Sequence, residues 1–284
     1  MNPLKRVLLV YYEPQPSGQT THVLSLVRGL DPHRYDVTVV LPANLASAAA
    51  SFQRAVARAV PLPLRKIAWP PQALVTLARL VREGDPDIVH VHSQEAGLVA
   101  RPVARLSGAR RVLYTPQTID IRRARLHVLY RIVERTLARS TDTLISVNEA
   151  DRQRLIRWGI PGEKVITIAN SIDPSEFESS PDKRRLRRDL GLDSSQPLVL
   201  QVGRLSAQKD PLAFVSGAAH VLRRHPNAVF ALVGDGPLRS AVASYVRDLD
   251  LEEHVRLLGW RAGASRLTAA ADIVTLTSRW EGAP

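Results

Sequence analysis

The sequence predicts an α/β protein built as two parallel-sheet units in series. Three observations predict it. Short β-branched runs alternate with amphipathic stretches from residue 6 to residue 169, a polar stretch at 174–197 breaks the alternation, and the alternation restarts at 198. Strands alternating with helices argue for parallel sheets, since each crossover helix returns the chain to the same edge. A length of 284 residues agrees with two domains.

In the first unit the candidate strands are 6–12 (RVLLVYY), 36–41 (DVTVVL), 87–91 (DIVHV), 111–115 (RVLYT), 143–147 (TLISV) and 165–169 (VITIA). The amphipathic stretches between them fall near 19–30, 45–58, 71–83, 95–107, 122–139 and 149–158. Residues 174–197 hold few apolar side chains, several Ser and Pro, and the basic run KRRLRR at 183–188, the composition of an interdomain connection. The second unit then reads strand 198–203, helix 211–224, strand 228–233, helix 237–249, strand 255–258, helix 264–270 and strand 272–277. The expected domains are 1–175, a linker at 176–197, and 198–284. About four strands are few for a doubly wound domain, so the second is expected to be incomplete.

Composition narrows the function. Hydrophobic residues are 45% and charged residues 23%, enough apolar material for a sizeable core. There is no cysteine, which excludes disulfides and thiolate metal sites. No stretch reaches the ~18 uninterrupted apolar residues of a membrane span, and the run at 7–12 is too short for a signal peptide. A cytoplasmic protein is expected. The formal charge of +12, mostly arginine, favours anionic partners without choosing among them.

In open parallel sheets, ligands bind past the carboxyl ends of strands. After the first strand comes PQPSGQTTHV, where Gly18 permits a tight turn, Thr20 and Thr21 are candidate caps, and His22 falls in the first helical turn. A capped βα turn explains it equally. After 198–203 comes GRLSAQKD, with Gly203, Arg204 and Lys209 on one short loop at a helix start. Two cations there make either a pyrophosphate clamp or a solvated loop. GDGP, with Gly234 and Gly236, is a tight turn or a close approach to a ligand. Glu281 stands past the last strand, where a carboxylate can accept hydrogen bonds from sugar hydroxyls. P-loop, dinucleotide and G-x-S-x-G motifs are missing. His90 and His92 share a strand face but have no third ligand in view, so no metal is expected.

Together these segments resemble the family 4, or group 1, glycosyltransferases. The resemblance rests on DIVHVHS at 87–93, LISVNEADRQRLIRWGIPGEKVITIANSIDPSEF at 144–177, VGRLSAQKDP at 202–211, LVGDGP at 232–237, and the ending LGW to AADIVTLTSRWEGAP at 258–284. It implies the GT-B fold: two Rossmann-like domains facing across a cleft, with the acceptor on the first and the nucleotide sugar on the second. Arg204 and Lys209 match the pair that holds the donor diphosphate. Glu281 matches the first glutamate of an E-x7-E motif, which contacts the donor sugar. Gly18 matches the second glycine of an amino-terminal Gly-Gly loop, and His22 a histidine just beyond it. Three features depart: Ser17 replaces the first glycine, Gln117 stands where many members have a histidine, and the second glutamate would fall at position 289, past the sequence given.

The implied reaction moves a sugar from a nucleoside-diphosphate sugar to an acceptor hydroxyl with retention, as in cell-envelope, glycolipid or polysaccharide synthesis, with no cofactor or metal. The alternative is a truncated, non-catalytic nucleotide-sugar-binding protein. A nucleic-acid reading rests on charge alone, with aromatics at 5%, and no specific nucleic acid is expected. On helix 122–139, Arg123, His127, Arg131, Arg135 and Arg139 form one polar stripe, while Leu126, Leu129, Val133 and Leu137 are expected to pack on the sheet. That stripe suggests peripheral contact with an acidic membrane, as a lipid-linked acceptor would require.

Overall fold

The computed structural model describes residues 3–13, 18–55, 57–66, 69–117, 119, 124–172, 187–188, 191–193, 196–261 and 264–282. The chain divides into two compact units, 1–172 and 173–282. Most of the expected linker at 176–197, most of the basic run at 183–188, Ser17 and Arg123 lie outside the described residues, as do the side chains of Leu126 and His127.

The first unit holds a seven-stranded sheet in the order β3-β2-β1-β4-β5-β6-β7. Its strands are β1 (Lys5–Tyr11), β2 (Tyr35–Pro42), β3 (Arg58–Leu62), β4 (Ile88–His92), β5 (Val112–Thr115), β6 (Thr143–Ser146) and β7 (Val165–Thr167), all paired in parallel. The helices are α1 (Gly18–Gly29), α2 (Ala46–Arg54), α3 (Pro71–Gly84), α4 (Gln94–Leu106), α5 (Ala124–Leu137) and α6 (Glu149–Arg157). Alternation along β1 splits the core: Leu8 and Val10 join one buried cluster, Val7, Leu9 and Tyr11 the other. Strands buried on both faces are those that parallel sheets select.

Helix α2 ends at Arg54, short of the 45–58 expected, and strand β3, which was not expected, follows at Arg58–Leu62. Its residues alternate between Arg58, Val60 and Leu62 on one side and Ala59 and Pro61 on the other. Pro61 lacks an N–H, and an edge strand tolerates that. Helix α1 begins at Gly18, so Thr20 and Thr21 are inside it rather than capping it, and His22 is in its second turn.

Helix α5 is rolled differently from expectation. Arg101 of α4 is fully buried, and its Nη2 lies 2.6 and 2.8 Å from the two carboxylate oxygens of Glu134 on α5. Arg101 Nε also donates to the Gly97 carbonyl at 2.8 Å, and the guanidinium lies 3.7 Å from the Tyr114 ring centroid. Burial pushes the Glu134 carboxyl up, and Arg101 opposes that shift. Tyr130 packs edge-on to Trp158. Residues 130 and 134 therefore face inward. Leu129, expected on the sheet, is 57% exposed, with Val128 and Ile132 beside it. A buried charge pair with a stacked tyrosine outranks one leucine's burial, because an unpaired buried charge costs more than an exposed methyl group.

The second unit holds a four-stranded parallel sheet in the order β10-β9-β8-β11. Its strands are β8 (Leu198–Val202), β9 (Val229–Val233), β10 (Val255–Gly259) and β11 (Ile273–Val274), and its helices α7 (Pro211–Leu222), α8 (Arg239–Asp248) and α9 (Ala264–Ala270). Leu198 and Leu200 face one cluster and Val199 the other, again two buried faces. The last strand is two residues long, against six expected at 272–277, and Ile273, Val274 and Leu276 are about half exposed.

Glu134→Ala leaves Arg101 charged and unpaired in the core. It should cost about 3–5 kcal/mol in urea unfolding. A loss under about 1 kcal/mol, the worth of a surface pair, would show that the pair does not hold α5.

Candidate donor-binding edge of the second unit

Three loops meet at the carboxyl edge of the second sheet. The loop after β8 (203–210) is zipped to the loop after β9 by Gly203 N to Val233 O (2.8 Å), Leu205 N to Asp235 O (3.0 Å) and Leu238 N to Leu205 O (2.9 Å). The approach is close enough to require glycine. A Cβ on Gly234, whose φ is +139°, would lie 2.0 Å from the Gly203 carbonyl oxygen, and one on Gly236 would lie 2.5 Å from that of Leu205. The sequence left GDGP as a turn of open meaning; its glycines serve packing between two backbones. The Lys209 stem crosses Gly203, 3.5 Å from where a Cβ would sit.

The segment after β11 is tied to the same loop. The Thr277 hydroxyl lies 2.9 Å from Gln201 Oε1, 3.0 Å from the Lys209 carbonyl and 2.8 Å from that of Asp210. Arg279 N donates to the Gln208 carbonyl at 2.8 Å, and Gln208 Nε2 to the Trp280 carbonyl at 3.2 Å. Arg279 Nε donates to Asp210 Oδ2 at 2.7 Å, which is the main reason the Asp210 carboxyl sits below its usual range. Lys209 Nζ donates to Glu281 Oε1 at 2.5 Å. Two of the residues singled out in the sequence, 72 positions apart, thus form a direct, mostly buried ion pair.

Arg204 is exposed and makes no ion pair among the described residues. The amino end of α7 is not open to an anion in the way the sequence suggested. Asp210 caps it, accepting from Ala213 N at 3.4 Å, and Pro211 has no N–H to offer. The positive charge at this edge therefore comes from the loop's cations, Arg204 and Lys209.

The other candidates belong to the first unit. His22 lies edge-on to His92, ring centroids 5.4 Å apart, and His92 lies 4.0 Å from His90. His90 Nε2 is 2.8 Å from Thr115 Oγ1, whereas both buried His92 ring nitrogens lack a hydrogen-bond partner among the described residues. Burial lowers all three histidines, His90 to about 3. Ser93, next in the chain, has φ +76° and caps α4 by accepting from Ala96 N at 3.1 Å. Gln117, at φ +68°, accepts from Asn170 Nδ2 at 3.2 Å. Gly18 has open space around it. Among the described residues, no three His, Asp or Glu side chains converge as a metal site. Thr277, Arg279, Asp210 and Asn170 were missed by sequence reasoning, because their roles rest on partners far away in the chain.

Family models match both units: Glycosyltransferase Family 4 over residues 16–176 and Glycosyl transferases group 1 over 182–284. The chain belongs to the family 4, group 1 glycosyltransferases. Among relatives of this chain is the UDP-Gal:alpha-D-GlcNAc-diphosphoundecaprenol alpha-1,3-galactosyltransferase of Escherichia coli. It is 32% identical over 221 residues, covering 75% of this chain and 57% of that protein. The GDP-mannose-dependent alpha-(1-6)-phosphatidylinositol monomannoside mannosyltransferase of Mycolicibacterium smegmatis is 27% identical over 186 residues, 65% of this chain and 48% of the relative. The chain thus spans about half the length of these relatives. HepE of Anabaena, crystallised with UDP and glucose, shares the fold at TM-score 0.82 and 21% identity, covering 96% of this chain and 74% of that one. The fold of this transferase is that of the GT-B glycosyltransferases.

The buried histidines make stability depend on pH. Their folded pKa values lie below the unfolded value of 6.5, so the stability they give is complete above that pH and is lost as pH falls below it, for His90 down to about 3. Between pH 6.5 and about 5, unfolding free energy should fall by up to ~1.4 kcal/mol per pH unit per histidine. His92→Gln should flatten that slope in urea titrations. An unchanged slope would mean that His92 is not held neutral.

Proposed function

We propose that this transferase moves a sugar from a nucleoside-diphosphate sugar to an acceptor hydroxyl. The observation that carries the reading is the donor edge itself: Arg204 exposed, Lys209 paired to Glu281, and three segments tied so that the two cations share one loop. In the reaction the bond from the anomeric carbon to the β-phosphate oxygen breaks. The acceptor oxygen bonds to that carbon, the acceptor proton is released, and the nucleoside diphosphate departs. Negative charge grows on the leaving diphosphate, and Arg204 and Lys209 meet it, which is where most catalytic stabilisation arises in such sites. Glu281 orients the sugar by accepting from its hydroxyls. Two side-chain cations answer the diphosphate charge, so the reading takes no metal. Retention follows if the acceptor attacks the face the diphosphate leaves. His22, kept neutral by burial, is suited to accept a proton on the acceptor side. Gln117, an amide, can position but not take a proton.

The relatives' names support the substrate class. One uses UDP-Gal and a diphosphoundecaprenol-linked acceptor, the other GDP-mannose and a phosphatidylinositol mannoside. A lipid-linked acceptor is common to both names, and it supports a reading in which the protein works at the inner face of the cytoplasmic membrane. No helix among the described residues is long and apolar enough to cross a membrane. Contact is instead assigned to the outer face of α5, where exposed Val128, Leu129 and Ile132 lie among exposed Arg131 and Arg135. Aliphatic groups beside arginine suit an acidic interface, with insertion adding to charge attraction.

Transfer from a panel of UDP- and GDP-sugars tests the reaction. Turnover of at least one is expected, and none would reject the reading. Arg204→Ala should weaken nucleoside-diphosphate binding by roughly 1.5–3 kcal/mol, the worth of a hydrogen bond to a charged group. Unchanged calorimetric affinity in the folded variant would remove it from the clamp. Co-sedimentation should rise with anionic lipid and fall with salt. Ile132→Asp should lower vesicle affinity about tenfold, by the loss of one inserted aliphatic side chain. Equal binding to neutral vesicles, or none to either, rejects the membrane contact.

A further inference from the structure

Lys209 is engaged by Glu281. Its Nζ is 2.5 Å from Glu281 Oε1, and the two side chains are only 23% and 19% exposed. The segment leading to Glu281 is tied to the residues on either side of Lys209. The Thr277 hydroxyl reaches the Lys209 and Asp210 carbonyls. Arg279 holds Gln208 O through its backbone N–H and Asp210 through its side chain, and Gln208 holds Trp280 O. A diphosphate that reaches Lys209 therefore enters a locus that also keeps a fixed carboxylate. Like charges within about 4–6 Å disfavour one another unless something neutral or positive intervenes.

We propose that Glu281 discriminates the sugar-bearing donor from the spent nucleotide. Its carboxylate opposes a bare nucleoside diphosphate at Lys209. A donor offsets that opposition because the sugar's hydroxyls donate hydrogen bonds to the carboxylate and replace Lys209 as its partner. After transfer the sugar leaves with the acceptor. Among the described residues the carboxylate then has Lys209 alone as donor, and it competes for that ammonium with a β-phosphate that now carries more negative charge. One residue thus orients the sugar while it is present and weakens the hold on the product once it is gone. The inference rests on the donor reading above.

The test compares native protein with Glu281→Gln and Glu281→Asp by calorimetry. The probes are UDP, GDP, inorganic pyrophosphate, UDP-glucose and GDP-mannose, with pyrophosphate reading the clamp apart from any base. Glu281→Gln should bind pyrophosphate and the accepted nucleoside diphosphate about three- to tenfold tighter, the scale of removing one partly screened like charge. Its affinity for the sugar nucleotide should stay level or fall, so that native preference for the loaded donor collapses. Glu281→Asp keeps the charge and should keep the preference. A merely structural pair predicts the opposite: a lower melting temperature, with every ligand weakened alike. If the amide unfolds the unit, Glu281→Ala gives the same reading. Native binding of nucleotide with no tightening in Glu281→Gln overturns this proposal and leaves the donor reading standing. Failure of the native protein to bind any of the five probes overturns both.

Discussion

What is proposed for the second unit depends on one constraint: residues 277–281 are bound to residues 208–210 through backbone and side chain together. A lysine on a free loop would be a solvated charge. Here its stem lies on Gly203, its carbonyl is held by Thr277, and its ammonium is held by Glu281. Side-chain entropy is therefore lost on folding rather than on binding, which is the physical content of preorganisation. The glycines at 234 and 236 belong to the same constraint. They let the loop after β9 lie against the loop after β8, and that contact fixes the backbone on which Arg204 and Lys209 stand.

The first unit solves a different problem, the burial of polar groups. Arg101 Nη2 and the Glu134 carboxylate pair with each other and orient α5. His90 has Thr115, but among the described residues His92 is buried without a hydrogen-bond partner, next to a serine at positive φ. An orphaned buried nitrogen and a strained neighbour both cost free energy, and such costs gather where a site is held ready. This cluster sits at the carboxyl end of β4, beside β1, where the strand order reverses, and that is where open parallel sheets place ligands. His22 reaches the cluster from α1 and is its least buried member.

Much of the fold was legible in the sequence, because β-branched runs and helical periodicity are local signals. Most strands began or ended within two residues of expectation. Strand β3 was hidden by the alanine-rich stretch before it, and Pro61 reads against a strand unless the strand is known to lie on an edge. The roll of α5 was hidden too, since Leu129 and Tyr130 are equally plausible inward residues until Arg101, on another helix, selects Glu134. At the donor edge, Arg204, Lys209 and Glu281 stood out because cations, carboxylates and glycines after strands are recognisable types. Their arrangement did not. Arg279 with Asp210, and Thr277 with the two carbonyls, are contacts across more than sixty residues, and no spacing rule marks them.

The central claim is that these three segments form one phosphate-binding surface. Amide hydrogen exchange with and without saturating nucleoside diphosphate tests it most directly, because exchange reports ordering segment by segment. Added protection is expected together in 203–210, 234–238 and 277–282. Protection confined to one of the three, or lying elsewhere in the chain with these segments unchanged, would contradict it.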